Sequence, residues 1–258
     1  MPMDSLSLQN IIESICQDGL DEKLIRNHIV FYNSVMRELK GYSSETSSFY
    51  KELASKGFVK DLTLQRKFLF IESVIEKVSA EQYLLLGKSP VLEEKLLRHT
   101  PMMERDGSCL GLTSDSQVLL AGSGALPITG IILCKKFSCQ IICLDSDPEA
   151  IELSKKVISA MGLEMYFTFW CDDIRTVDFK RREIAAVIIV AFLPHKNEIV
   201  GNFLHNGHNL NLLIRQPRGP YSLIYDKVDA RLINRLKHVR IDTDLHRGHY
   251  SSIIGRIE

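Results

Sequence analysis

No pair of the six cysteines stands at C-x-x-C spacing, and no histidine pair stands at H-x-x-x-H spacing beside an acid. The usual sequence marks of a zinc site are therefore lacking, and no metal is expected. No apolar run approaches the roughly 20 residues that span a bilayer, so no membrane association is expected. The first residues, MPMDSLSLQNIIES, hold no basic stretch ahead of an apolar core, so they do not read as a secretory leader. Excess charge of either sign is lacking too: 32 Lys and Arg balance 32 Asp and Glu. That balance argues against a nucleic-acid partner. Three of the cysteines lie in or beside apolar strand or helix runs, where a reduced thiol acts as a small hydrophobe, and a reducing, cytoplasmic location is expected.

What is present is the composition of an ordinary globular protein, 45% apolar and 25% charged over 258 residues. That length suits one large domain or two small ones and can bury a core without staples. Two rhythms divide it. Residues 1–105 read as a helical domain, with apolar residues at helical spacing in LQNIIESICQDG and DEKLIRNHIVFYNSVMRELKGY. Gly19 and Gly41 stand where such helices stop. SSETSSFYKELASKG begins with capping residues, and Asp61 is a cap for the long segment LTLQRKFLFIESVIEKVSAEQYLLLG. A short helix, PVLEEKLLRH, follows.

Residues 106–258 change to short β-rich runs: VLLAG (118–122), QIICLD (140–145), MYFTFWC (165–171), AAVIIVAF (185–192) and NLLIRQ (211–216). ALPITGIILCKKF and PEAIELSKKVISAMG separate the first three with helical patterns. Strands alternating with helices predict βαβ units and a mostly parallel, doubly covered sheet. VDARLINRLKH reads as a further helix, and HVRIDTD with YSSIIGRI as a closing hairpin. The expected fold class is α/β: a Rossmann-like sheet of the S-adenosylmethionine (SAM)-dependent methyltransferase type, carrying an N-terminal helical domain.

In such a sheet ligands bind at the carboxyl ends of the strands, where strand order reverses. The first strand ends in Gly122-Ser123-Gly124, small residues that let a ligand approach the backbone. The third glycine of a dinucleotide loop is missing, and Ala125, Leu126 and Pro127 follow. Asp145 closes the second strand 21 residues beyond Gly124, about the distance at which an acid meets ribose hydroxyls. Asp147 follows it, and Asp172 and Asp173 follow the third strand, placed for an adenine amino group. Together these marks predict an adenosine-containing cofactor. A dinucleotide needs its pyrophosphate seated on the helix N-terminus, and the missing glycine with Pro127 disfavours that seat, leaving SAM. The expected cofactor contacts are Gly122, Ser123, Gly124, Leu126, Pro127, Asp145, Asp147, Asp172, Asp173 and Phe192.

The stretch GSGALPIT resembles the GSG-x-LP-[LM]-T signature of nicotianamine synthases and of the bacterial opine-metallophore (staphylopine-type) aminobutanoyltransferases. LDSDPEAIELSKKV is similar to their D-x-D segment and next helix, IRQPRGPYSLIYDKVD to their arginine-rich segment, and YSSIIGRI to their last strand. The resemblance covers residues 115–258, and its short chain is closer to the bacterial members. HTPMMERDG stands where the plant enzymes carry a tyrosine-rich segment, and Asp226 stands where they have a proline after L-Y.

The resemblance implies transfer of the 3-amino-3-carboxypropyl (aminobutanoyl) group of SAM, as co-substrate, to the amine of an amino acid, with histidine the expected acceptor. Methylthioadenosine (MTA) then leaves. It also implies Glu81 as the carboxylate that takes the amine's proton. Glu72 and Glu76, nine and five residues earlier on the same helix, are further candidates by position. Arg215 is the expected clamp for a carboxylate, with Tyr225 and His195 as further substrate contacts. A downstream opine dehydrogenase is the implied partner, and the apolar N-terminal helices offer a face for a homodimer. Two alternatives stand beside this: condensation of several SAM-derived units, as in nicotianamine synthases, and an ordinary small-molecule methyltransferase.

Overall fold

The computed structural model describes residues 62–177, 183–206, 209–218, 221–222, 225–243 and 250–258. The helices expected before residue 62, with Gly19, Gly41 and the Asp61 cap, lie outside the described residues.

The first described helix, α1 (Leu62–Leu86), buries Phe68, Ile71, Glu72, Val74, Ile75, Ser79 and Ala80, a stripe at three- and four-residue spacing. Its chain stops at Gly87, whose φ of +68° suits a left-handed helix end and whose N–H meets the Tyr83 carbonyl at 2.8 Å. Next comes α2 (Pro90–Cys109), capped by Ser89 with Pro90 in its first turn.

The short helix expected to end at residue 99 in fact continues through Pro101 for ten more residues. Proline withholds a helix hydrogen bond, but packing beyond it outweighs that loss. Met103, Asp106 and Gly107 are buried there. A Cβ on Gly107 would stand 2.3 Å from the Phe137 ring, so α2 lies flush on the next helix only because that residue is glycine. The domain boundary expected at residue 105 therefore falls inside a continuous helix.

The sheet strands are β1 (Gln117–Ala121), β2 (Gln140–Asp145), β3 (Phe167–Cys171), β4 (Ala186–Ile189), β5 (Leu210–Pro217), β6 (Lys237–Thr243) and β7 (Tyr250–Ile257). They form one sheet in the order β3-β2-β1-β4-β5-β7-β6. Pairings from β3 to β5 are parallel, and β7 runs antiparallel to β5 and β6. The remaining described α-helices are α3 (Ile128–Phe137), α4 (Pro148–Ala160), α5 (Lys196–Asn206) and the single turn α6 (Ala230–Ile233).

Alternate residues of each central strand enter different cores. Val118, Leu120, Ile141, Cys143 and Ile188 pack with α3 and α4. Leu119, Ile142, Val187 and Leu212 pack with Ile199, Val200 and Phe203 of α5. Two covered faces explain why these strands read as continuous apolar runs.

Three expected bounds are corrected. The fourth strand ends at Ile189, not Phe192, and its remainder turns into a loop at the sheet's carboxyl edge. The helix read in VDARLINRLKH is only four residues long, because the chain is drawn into β6 at Lys237. Glu164–Tyr166 form a 3-10 turn before β3.

Candidate active site

From β1 the chain winds outward to β2 and β3, and from β4 it winds the other way to β5. The crevice beyond β1 and β4 is therefore the topological switch point of the sheet. A cavity of about 340 Å³ opens there, within the range of small-molecule sites. The β1, β2 and β4 ends line one side. The inner faces of α1 and α2 line the other.

The β1–α3 loop forms the floor. Gly122 and Gly124 take φ values of +76° and +66°, in the left-handed region that favours glycine. Gly122 and Ser123 donate to the Leu144 carbonyl at 2.9 and 3.1 Å, fixing the loop to the end of β2. One Asp145 carboxylate oxygen accepts from the Gly124 N–H at 2.8 Å, and the other accepts from the Asp147 N–H at 3.0 Å. Burial raises the Asp145 carboxyl above its ordinary range, against the pull of those two backbone N–H groups.

Asp147 caps α4 by accepting from Glu149 and Ala150, and it pairs with Lys77 of α1 at 2.8 Å. Its carboxyl stays below the ordinary range because Lys77 and the cap outweigh partial burial. Lys77 also meets Glu149 at 2.5 Å, so α1 is latched beside the cofactor loop.

Glu76 projects from α1 over that loop. A Cβ built on Gly124 would lie 2.2 Å from its Oε2, so the carboxylate occupies the room left by the missing side chain. The other oxygen accepts from Lys95 of α2 at 3.0 Å, and Glu72 stands 3.8 Å from the same ammonium. Burial opposes charge on Lys95, but Glu76 and Glu72 outweigh it and hold the ammonium above the ordinary lysine range. Tyr225 donates its hydroxyl to Glu72 at 3.1 Å. Burial raises the Glu72 carboxyl, with Lys95 pulling the other way. Phe192 closes this half, its ring 4.9 Å from that of Tyr225 and 6.0 Å from the Lys95 Nζ.

Of the residues expected from sequence, Gly122, Ser123, Gly124, Leu126, Asp145, Asp147, Asp172, Asp173, Phe192, His195 and Arg215 all line the cavity. Asp173 is engaged by Arg175 on both oxygens, and His195 sits at φ +60° with its N–H donated to Asp226 at 2.7 Å. Pro127 does not line the cavity; it is buried as the cap residue before Ile128.

Glu81 is placed on the exposed side of α1, outside the cavity lining, while Glu72 and Glu76 face inward. The physical reason is helical phase. Glu72 and Glu76 are one turn apart on the inner stripe, and Glu81 falls five residues on, off that stripe. Tyr225 is likewise behind the wall: it is buried, outside the cavity lining, and backs the lining residues Glu72 and Phe192.

Arg215 is not a free clamp. It is buried, with Nη1 2.6 Å from Asp106 and also bonded to Ser252, and Nη2 3.1 Å from the Met103 sulfur.

Sequence reading missed Lys95, Asp106 and Lys196. Lys95 sits in LEEKLLRH, which reads as a solvated helix face. Lys196 is fully buried and donates to the carbonyls of Ala191, Arg215 and Asp226 at 2.7, 2.9 and 3.1 Å. It ties the β4 loop, the end of β5 and the Asp226 segment together.

No family model matches the chain. Its sequence is similar to curated L-histidine 2-aminobutanoyltransferases. The one from Yersinia pestis is 25% identical over 120 residues, 46% of this chain and 44% of the relative. One from Pseudomonas aeruginosa is 36% identical over 59 residues, 23% of this chain and 22% of the relative. Each alignment thus spans less than half of the relative's length.

The fold is similar over nearly its whole length to that of the nicotianamine synthase MtNAS. A Glu-to-Gln variant of MtNAS superposes with a TM-score of 0.77 at 16% identity, covering 98% of both chains. MtNAS in complex with MTA and tNA superposes at 0.74, covering 98% of this chain and 97% of that one. The expected fold class, a methyltransferase-type sheet with helices packed beside it, is the fold of this chain.

Proposed function

We propose that this chain transfers the 3-amino-3-carboxypropyl group of SAM to the amine of an amino acid, with histidine the favoured acceptor, and releases MTA. The observation that carries the reading is the Glu76 carboxylate held over the Gly124 backbone by Lys95. It puts an anionic acceptor of protons directly above the loop that fits an adenosyl ligand. The loop itself fits that ligand: two left-handed glycines open the backbone, and Asp145, Asp172 and Asp173 supply carboxylates along the β2 and β3 ends. The names of the sequence relatives and the bound MTA of the structural neighbour support the same chemistry.

Bound SAM supplies a carbon activated by its sulfonium. The acceptor nitrogen's lone pair forms the new C–N bond at the γ-methylene while the C–S bond breaks. The bond's electron pair remains on sulfur in neutral MTA. An ammonium cannot attack, so the proton it must lose needs an acceptor, and Glu76 stands at that place. The helical wall formed by α1 and α2 holds the acceptor against the loop, so orientation selects which of the three sulfonium carbons reacts. On this reading the product belongs to an opine-type metallophore route in the cytoplasm, ahead of an opine dehydrogenase.

The test is Glu76→Gln. The variant keeps shape and SAM affinity but loses the proton acceptor, and MTA release falls by about 10²- to 10⁴-fold, the usual worth of a positioned base. MTA release at the wild-type rate would remove Glu76 from the chemistry.

A further inference from the structure

Three Lys and Arg side chains line the cavity among the described residues: Lys95, Arg175 and Arg215. Arg215 is enclosed by Asp106, Ser252 and Met103. Arg175 lies at the cofactor edge, bonded to both oxygens of Asp173 and 3.7 Å from Glu198. Lys95 alone stands in the helical half, beside Glu76. An ammonium has three donors. Glu76 takes one at 3.0 Å, Glu72 lies farther off at 3.8 Å, and another side of the ammonium faces the Phe192 ring.

An α-amino acid carries an ammonium and a carboxylate on one carbon. The Glu76–Lys95 pair presents the opposite two charges, adjacent and on one wall of the cavity. Glu72 does not spoil the match: its carboxyl is buried, receives the Tyr225 hydroxyl, and is raised toward its neutral form. We infer that Glu76 and Lys95 form a receptor for the zwitterionic head of the acceptor, with Lys95 binding its α-carboxylate and thereby directing the α-amine to Glu76. Lys95 is then the residue that makes the enzyme select amino acids over simple amines. The inference rests on the transfer reaction proposed above and goes beyond it by naming the group recognised.

The experiment compares kcat/KM for MTA release with L-histidine, D-histidine and histamine, and with the best acceptor of an amino-acid panel against its decarboxylated amine. The wild-type protein and Lys95→Met are assayed together, with SAM affinity as the control for folding. The wild type prefers the amino acid by about 10- to 100-fold, the worth of a hydrogen bond between charged groups. In Lys95→Met that preference collapses toward unity, and Lys95→Arg recovers part of it. A purely structural lysine would lower both substrates alike and leave the ratio in place, which would overturn the inference. A wild type indifferent to the carboxylate would overturn it even if the variant does not fold. Absence of MTA with every acceptor would sink the transfer reading itself, and the zwitterion receptor with it.

Discussion

At Gly124 two demands meet on one residue. Its φ is +66°, and its missing Cβ leaves the space that the Glu76 carboxylate fills. Gly124→Ala therefore acts twice, straining the loop and pushing back the carboxylate above it. The backbone strain alone is of order 1 kcal/mol or more. We expect weaker SAM binding and slower turnover, both read from one steady-state titration. A Gly124→Ala variant with unchanged turnover would show that Glu76 does not depend on that space. The glycines of the loop are legible in the sequence because they follow directly on an apolar strand. The glutamate is not. Glu72, Glu76 and Glu81 share one helix, and only the phase of its buried stripe tells which of them turn inward.

Elements are joined here by buried polar contacts. Asp106 of α2 pairs with Arg215 of β5, and Ser252 of β7 bonds both. That triangle fastens the helical wall to the far half of the sheet. Asp106→Ala leaves the Arg215 charge buried without its partner, a loss of about 3–5 kcal/mol. Urea unfolding measures it, and a cost near zero would mean that Arg215 finds water or another acceptor.

The same triangle explains a limit of sequence reading. In the sequence Arg215 is a cation at a strand end, a position that suits a substrate clamp. Its partner lies 109 positions earlier, in a segment that local patterning ends at His99. The continuation of α2 past Pro101 depends on Gly107 lying against Phe137, a tertiary contact that no local pattern carries. The strands fared better, because a doubly buried strand writes its burial directly into a run of apolar residues.

For the molecule as a whole, pH enters through Lys196. Burial lowers its ammonium to about 7, Asp226 opposing. Below that pH the folded protein holds a buried charge that the unfolded chain would keep in water. Between about 7 and the ordinary lysine range, the unfolded chain binds the extra proton and the folded one does not. The lysine's contribution to stability therefore rises with pH across that window. The stability difference between wild type and Lys196→Met should grow in favour of wild type from pH 7 to pH 10. A flat difference in urea unfolding would mean that the three carbonyls keep the lysine protonated throughout.

Which carbon of the sulfonium reacts separates aminobutanoyl transfer from methyl transfer. The most direct measurement is mass spectrometry of the purified protein incubated with SAM and an amino-acid mixture that includes L- and D-histidine. Aminobutanoyl transfer yields MTA together with an acceptor heavier by one aminocarboxypropyl unit. S-adenosylhomocysteine with an acceptor heavier by one methyl group would contradict it and make the chain a methyltransferase.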